Sequence, residues 1–264
     1  MRDSPTNMTA HQPIIYYGTE LPSRARAREL KNISVVLQTY HPLCQLNRFA
    51  DYFPHAQRYV YFNPTVVPRQ FSTDPQLRAV TLEYDTKWNL QRLDLKHPAA
   101  RHFVITQGKL ALQTKSVHGL FIDDLDRWDS PSRRRYAYSV LRELASERIR
   151  STSWFINRGF GFWKRLSGLA AVLLEEISPC LLDHLNPADL SWVTAVVLPA
   201  LRHAHARGAE IHCLTYVPGE VGWIPQGNAA SAVAALTGRP LLACRHLDRW
   251  PKMLDERTQI SGNG

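Results

Sequence analysis

Short apolar and β-branched runs recur along the chain, separated by longer segments with apolar residues at three- and four-residue spacing. The runs predict strands at Pro13–Gly18, Ile33–Tyr40, Tyr59–Val67, Gly119–Asp124, Ser153–Gly159, Ala171–Ile177, Ile211–Val217 and Pro240–Cys244. Several contain fully apolar stretches (VVL, LFI, VLL, LLA), which is how strands covered on both faces read. The intervening segments carry helix punctuation. Ser130-Pro131 sets a capping hydroxyl before a first-turn proline, and Ala137, Val140, Leu141, Leu144 and Ala145 follow at helical spacing. Asn186-Pro187 repeats the device with Asp189 in the first turn, then Leu190, Val193, Val197, Leu201 and Ala204 on one face and Gly208 as a stop. Pro199 falls inside that segment, so a kink or an early end is expected. Gly227–Leu236 reads as a small-residue helix closed by Gly238.

Eight strands alternating with helices predict an α/β protein, a (β/α)8 TIM barrel, with a doubly wound open sheet as the alternative. No internal repeat or linker divides the chain. One domain is expected over 13–254, with loose ends at 1–12 and 255–264. Pro68–His102 is rich in polar and aromatic residues and reads as an enlarged loop with some helix on the third strand-to-helix connection.

Composition narrows the class. The 264 residues (30.1 kDa) are 44% hydrophobic and 21% charged, which excludes a disordered chain, a fibre and a disulfide-dense mini-protein. No run of about 18 apolar residues predicts a membrane span. The opening MRDSPTNMTAHQ lacks the apolar core of a signal peptide, and Cys44, Cys180, Cys213 and Cys244 are scattered, so a cytoplasmic protein with buried thiols is expected. The net charge of +9 comes from 32 basic and 23 acidic residues spread along the chain. Its tight clusters, Arg24/Arg26/Arg28 and Arg133/Arg134/Arg135, read as solvated helix faces, and no nucleic-acid partner is expected. His203 and His205 are two apart and His41/Cys44 is a lone pair, so no metal site is expected. There is no nucleotide-binding glycine loop and no G-x-S-x-G, so no cofactor is expected.

In a barrel, reactive groups project from the C-terminal ends of strands. Here those ends carry Asp123, Asp124 and Asp126, then Asn157 and Arg158, then Glu175 and Glu176, then Tyr216. Acids at strand ends commonly cap the next helix, and Asp126 and Asp129 read that way before Ser130. Their convergence on the fourth, fifth and sixth strands points instead to a cleft. Two carboxylates across a cleft are the equipment of glycosidic bond cleavage. Side chains alternate along a strand, so one acid of each pair faces the cleft, and Asp123 and Glu175 come first after their apolar runs. Arg158 reads as an anion contact or an internal ion-pair partner, and Trp88, Trp128, Trp163 and Trp223 as sugar platforms or barrel closures.

The blocks HGLFIDDLDRW (118–128), INRGF (156–160) and AVLLEEI (171–177) resemble glycoside hydrolase family 114, the endo-α-1,4-polygalactosaminidase-like family. IIYYG (14–18) is similar to its first strand and GRPLLACRHLD (238–248) to its closing stretch. The resemblance implies a TIM-barrel glycosidase with Asp123 and Glu175 as the catalytic carboxylates. Tyr17, Asp126, Trp128, Asn157, Arg158 and Tyr216 would contact a carbohydrate or other small substrate. The chain departs from the family at QTYHP (38–42) and YFNPTVV (61–67), which lack the acids usual near the second and third strand ends, and at His118, where the family has Asp. Deacetylated galactosaminoglycan is a polycation, which a chain at +9 would repel at long range. Another substrate, a small glycoside or a metabolite with anionic groups, is one alternative. A barrel that binds a carbohydrate or a partner without turnover is the other.

Overall fold

The computed structural model describes residues 14–17, 21–29, 33–38, 44–68, 71, 73–86, 89–114, 116–123, 125, 131–146, 153–163, 168–175, 191, 193–214, 242–243 and 245–247. Every apolar run predicted to be a strand contains one: β1 (Ile14–Tyr17), β2 (Ile33–Gln38), β3 (Gln57–Phe62), β7 (Gly119–Ile122), β8 (Ser153–Asn157), β9 (Leu169–Glu175), β10 (Glu210–Leu214) and β11 (Leu242–Ala243). A further piece, β12 (Arg245–Leu247), follows at once. All pair in parallel, in the order β11-β10-β9-β8-β7-β3-β2-β1-β12. The two ends of that order, on β10 and on β1, are therefore occupied by chain one residue apart. No edge-to-edge reversal of an open doubly wound sheet is seen among the described strands.

Period-two alternation sorts the strands into two rows. Val60 and Phe62, Leu120 and Ile122, Trp154 and Ile156, and Ile211 belong to one apolar cluster with the helices α4 (Pro98–Gln113), α5 (Pro131–Ser146) and α6 (Leu198–Ala206). The opposite row stacks aromatic rings: Tyr61 lies 6.1 Å from Phe121, Phe121 5.1 Å from Phe155, and Phe155 5.5 Å from both Tyr59 and His212. Tyr16 of β1 packs under Phe49 of α2 (Cys44–Tyr52), beside Ala27 of α1 (Arg24–Glu29).

Gly119 marks a close approach of β7 to β8. An added Cβ would lie 1.7 Å from the Ser153 carbonyl oxygen. The α5 prediction holds, with Ala137, Val140, Leu141 and Leu144 fully buried. Pro199 neither ends the helix nor kinks it midway. It sits in the first turn of α6, after a π-helical stretch at Val193–Val197. A proline cannot give its N–H to the carbonyl four residues earlier, and the wider turn upstream absorbs the missing bond. Gly208 closes α6 at φ 78°, donating to His205 O while Ala209 donates to Ala204 O, the paired bonds of a Schellman cap. The predicted caps at Ser130 and Asn186 and the helix at Gly227–Leu236 lie outside the described residues.

The third strand ends earlier than predicted, and Pro68–His102 is not a loop with some helix. It holds α3 (Pro75–Ala79) and most of a three-stranded antiparallel sheet, β4 (Val66–Pro68), β6 (Leu90–Leu93) and β5 (Thr81–Asp85), with β6 central. The reason for the break is Asn63, which is fully buried. Its Oδ1 accepts from the N–H of Thr65 (3.0 Å) and Val66 (3.3 Å) and the Thr65 hydroxyl (2.9 Å), turning the chain out of β3. This small sheet enters after the C-terminal end of β3, the same end as Asp123.

Candidate functional site

Asp123 follows the last residue of β7, and its N–H donates to the Phe62 carbonyl at the end of β3 (3.1 Å). The backbone thus stays in register one residue past the strand, and Asp123 continues the row of Gly119 and Phe121 above the aromatic stack. Its half-buried carboxylate accepts on both oxygens. The Tyr61 hydroxyl donates to Oδ2 at 3.0 Å and the Asn157 amide to Oδ1 at 2.9 Å. Both carboxylate oxygens thus have a donor from a neighbouring strand. Donors from the two strands flanking β7, β3 and β8, therefore orient one acid.

Asn157 ends β8 and is buried, and the chain then turns sharply. Arg158 and Gly159 both adopt left-handed backbone, φ 54° and 59°. Arg158 has a Cβ, so this costs about 1 kcal/mol or more. The turn is held by the Trp163 indole N–H, which donates to the Arg158 carbonyl at 2.6 Å, and by Phe162 N–H donating to Gly159 O at 2.9 Å. Gly159 packs on Leu125, where a Cβ would come within 3.0 Å of its side chain, so the chain after β8 bears on the chain after β7. Trp163 is fully buried in the main cluster. It is a closure of the fold and not a platform for sugars.

Glu175 is the last residue of β9 and pairs with Leu214. The register sets Asn157 opposite Leu173, so Glu175 falls two positions further along the same alternating row. Tyr17 ends β1 at the position paired with Leu37, which in turn pairs with Tyr59 of the aromatic row. Asp124, Asp126, Trp128, Glu176 and Tyr216 lie outside the described residues, as do Trp88 and Trp223. Among the described residues no group of three His, Cys, Asp or Glu could hold a metal ion.

Two residues gain a role that their letters did not suggest. Tyr61 was read only as part of a strand end without acids, yet it aims Asp123. The signal was there: Tyr59 and Tyr61 alternate toward the row that Phe121 and Phe155 extend. His118, the departure from the family pattern, stands before β7, at the opposite end from Asp123. Its Nδ1 accepts the Arg58 N–H at 3.0 Å, and its own N–H donates to Arg58 O at 2.8 Å. The buried Arg58 guanidinium donates to the carbonyls of Ser116 (2.8 Å), Ala56 (2.8 Å) and Phe53 (3.3 Å), and burial lowers its pKa. This is a structural clamp between the entries to β3 and β7.

The clamp makes a pH prediction. Burial first, and the neighbouring Arg58 charge second, hold the His118 pKa below its ordinary 6.5. A histidine depressed in the folded state contributes stability above its unfolded pKa and loses it as pH falls toward the folded one. His118→Asn keeps an acceptor for Arg58 N–H without a titrating ring. Its Tm should fall less than that of the parent between about pH 7 and pH 5.5. Parallel curves for the two proteins would remove His118 from the acid response.

No family model matches the chain, and no curated protein matches it in sequence. Solved structures do. The glycoside hydrolase domain of PelA from Pseudomonas aeruginosa superposes with a TM-score of 0.62 at 20% identity, over 89% of this chain and 94% of that one. Aspergillus fumigatus Ega3, solved in complex with galactosamine, gives 0.54 at 11% identity, over 90% of each chain. No described helix is long and apolar enough to cross a membrane. The likeness carries nearly the full length of both, so the resemblance to glycoside hydrolase family 114 read from the motifs is met at the level of the fold: this chain folds as glycoside hydrolase domains do.

Proposed function

We propose that the chain is a (β/α)8-barrel glycoside hydrolase that cleaves an O-glycosyl bond with Asp123 and Glu175. The observation that carries this reading is Asp123, held at the end of β7 by donors from the two flanking strands, in a fold shared with glycoside hydrolase domains. In this reading Asp123, an acceptor at both oxygens, is the base or nucleophile. Glu175 gives its proton to the leaving-group oxygen, and either Asp123 or a water it deprotonates bonds the anomeric carbon. Tyr61 and Asn157 hold the carboxylate. Tyr17, Asp126, Trp128, Arg158 and Tyr216 are the proposed substrate contacts.

The substrate class follows from charge. A cationic polymer is steered away from a chain at +9, so neutral or anionic glycosides are preferred to deacetylated galactosaminoglycan. The test is release of reducing ends from a panel of α-linked oligosaccharides: galactosamine oligomers, their N-acetylated forms, neutral galactosides and uronate oligomers. Turnover of any one supports the hydrolase, and greater turnover of the cationic oligomers overturns the substrate preference. A second reading, binding without turnover, is favoured by Asn63: where the family places an acid near the third strand end, this amide is committed to a turn. Binding of an oligosaccharide with no cleavage across the panel would select it.

A further inference from the structure

Away from the strand ends that carry Asp123, α1 and α2 leave a groove of about 770 Å³ between them, within the range of small-molecule sites. Arg24 and Arg28 line it one helical turn apart on α1, Arg48 and Asp51 line it from α2, and Tyr52 and His55 close its end just before β3. Because β3 begins at Gln57, this end of the groove lies at the N-terminal side of the sheet, opposite the candidate catalytic end. Buried Ala27 and Phe49 seat the two helices on Tyr16, so the walls belong to packed elements.

Arg24, Arg28 and Arg48 are exposed, and among the described residues none of the three has a side-chain hydrogen-bond or ion-pair partner. Less exposed arginines elsewhere are engaged: Arg92 pairs with Glu83 at 3.0 Å, Arg101 donates to two carbonyls and lies 5.4 Å over the Tyr136 ring, and Arg58 is clamped. What sets Arg24, Arg28 and Arg48 apart from other exposed arginines is that they line one groove. Arg48 and Asp51 stand three apart on one helix face and still do not pair. Among the described residues, three like charges line this groove against one carboxylate, and an anion among them would relieve their mutual repulsion. Guanidinium forks match the two-oxygen edge of a carboxylate or a phosphate, and Tyr52, half-buried on the wall, offers a ring face to a sugar.

We infer that the groove between α1 and α2 is a binding site for an anionic saccharide, a sugar ring bearing a carboxylate or a phosphate. The inference does not rest on hydrolysis at Asp123. It gives the uneven charge of the chain a use that cation repulsion alone does not.

Calorimetric titration of the full chain tests it, with galacturonate oligomers, a hexose 6-phosphate, the matching neutral sugars and inorganic phosphate as probes. At least one charged sugar should bind and its neutral counterpart should not. Arg28→Ala and Arg48→Ala should each weaken that binding about tenfold or more. Arg48→Lys, which keeps the charge and the fold but loses the fork, should fall between. Asp123→Asn should leave binding unchanged, which separates this site from the hydrolase reading. Binding of the uronate alone or of the sugar phosphate alone names the anionic group. Inorganic phosphate binding as tightly as the sugar phosphate would overturn the saccharide assignment. Failure of every charged sugar to bind, or arginine variants that bind like the parent, would overturn the site.

Discussion

On the proposed hydrolase reading, Asp123→Asn is expected to lower turnover by about a thousandfold or more while the protein stays folded. The loss is the usual scale for deleting a positioned acid–base or nucleophilic carboxylate. The retention of fold follows from the hydrogen bonds. An asparagine at 123 can accept the Asn157 amide on its oxygen and donate from its own amide to the Tyr61 hydroxyl, so both neighbours keep a partner. Neither β3 nor β8 is left with an orphaned polar group, and the urea midpoint should move little. Activity of the panel substrates and the denaturation midpoint are read on the same preparation. Turnover within tenfold of the parent would exclude Asp123 as a reacting group. A collapse of stability with lost turnover would assign it to the fold instead. Tyr61→Phe is the graded companion: it removes one aiming bond and leaves the carboxylate, so a smaller loss of kcat is expected, on the order of tenfold.

Gly119→Ala destabilises the protein by about 4 kcal/mol or more, into the range that single substitutions seldom reach. The new methyl group would run into the Ser153 backbone of the neighbouring strand, 1.7 Å from its O, 2.6 Å from its carbonyl carbon and 3.1 Å from its Cα. No rotamer relieves such a clash, because none of these atoms belongs to a side chain. The only escape is to part β7 from β8 at the pair Gly119 and Ser153, which disturbs the register that brings Asp123 level with Asn157. Gly161→Ala is the control. That glycine is exposed, has no positive φ and has nothing within 4 Å of an added Cβ, so it should be neutral or slightly stabilising. Urea unfolding of both variants checks the contrast. A Gly119→Ala protein within about 1 kcal/mol of the parent would show that the strands can separate cheaply there.

The main sheet was legible because its strands are short apolar runs between helices, a pattern that few folds other than parallel α/β produce. Asp123 and Asn157 were legible for the same reason, as the first polar residues after buried runs. The small antiparallel sheet was not. Its strands are three to five residues long, β5 is almost wholly exposed, and β6 buries Gln91 beside Leu93, so no alternation of apolar and polar residues marks it. The helix starts around it were readable in principle. Asp74-Pro75 and His97-Pro98 repeat the cap-and-proline device found at Ser130-Pro131, with Asp74 accepting from Gln76 and Leu77 and His97 from Ala99. Tyr61 escaped notice because an aromatic on a buried strand signals core first. Only its hydrogen bond to a residue 62 positions away separates support of an acid from packing. The strain at Arg158 was equally invisible, since a non-glycine residue in left-handed backbone has no signature of its own.

The two short pieces at Leu242–Ala243 and Arg245–Leu247 bear on how the chain is made. They pair with β10 and with β1, the two strands that would otherwise border the sheet, and they are synthesised after every other described strand. Throughout synthesis, then, the nascent chain holds β1 with one unpaired side, and later β10 as well, each a row of open backbone donors and acceptors. Completion of this sheet waits on a contact between residues 14–16 and 245–247, a long-range pairing across the other described strands. Such a closure is slow in proportion to its non-local character. The interval before it is when chaperone binding or self-association competes with the native state, whatever the stability of the finished molecule.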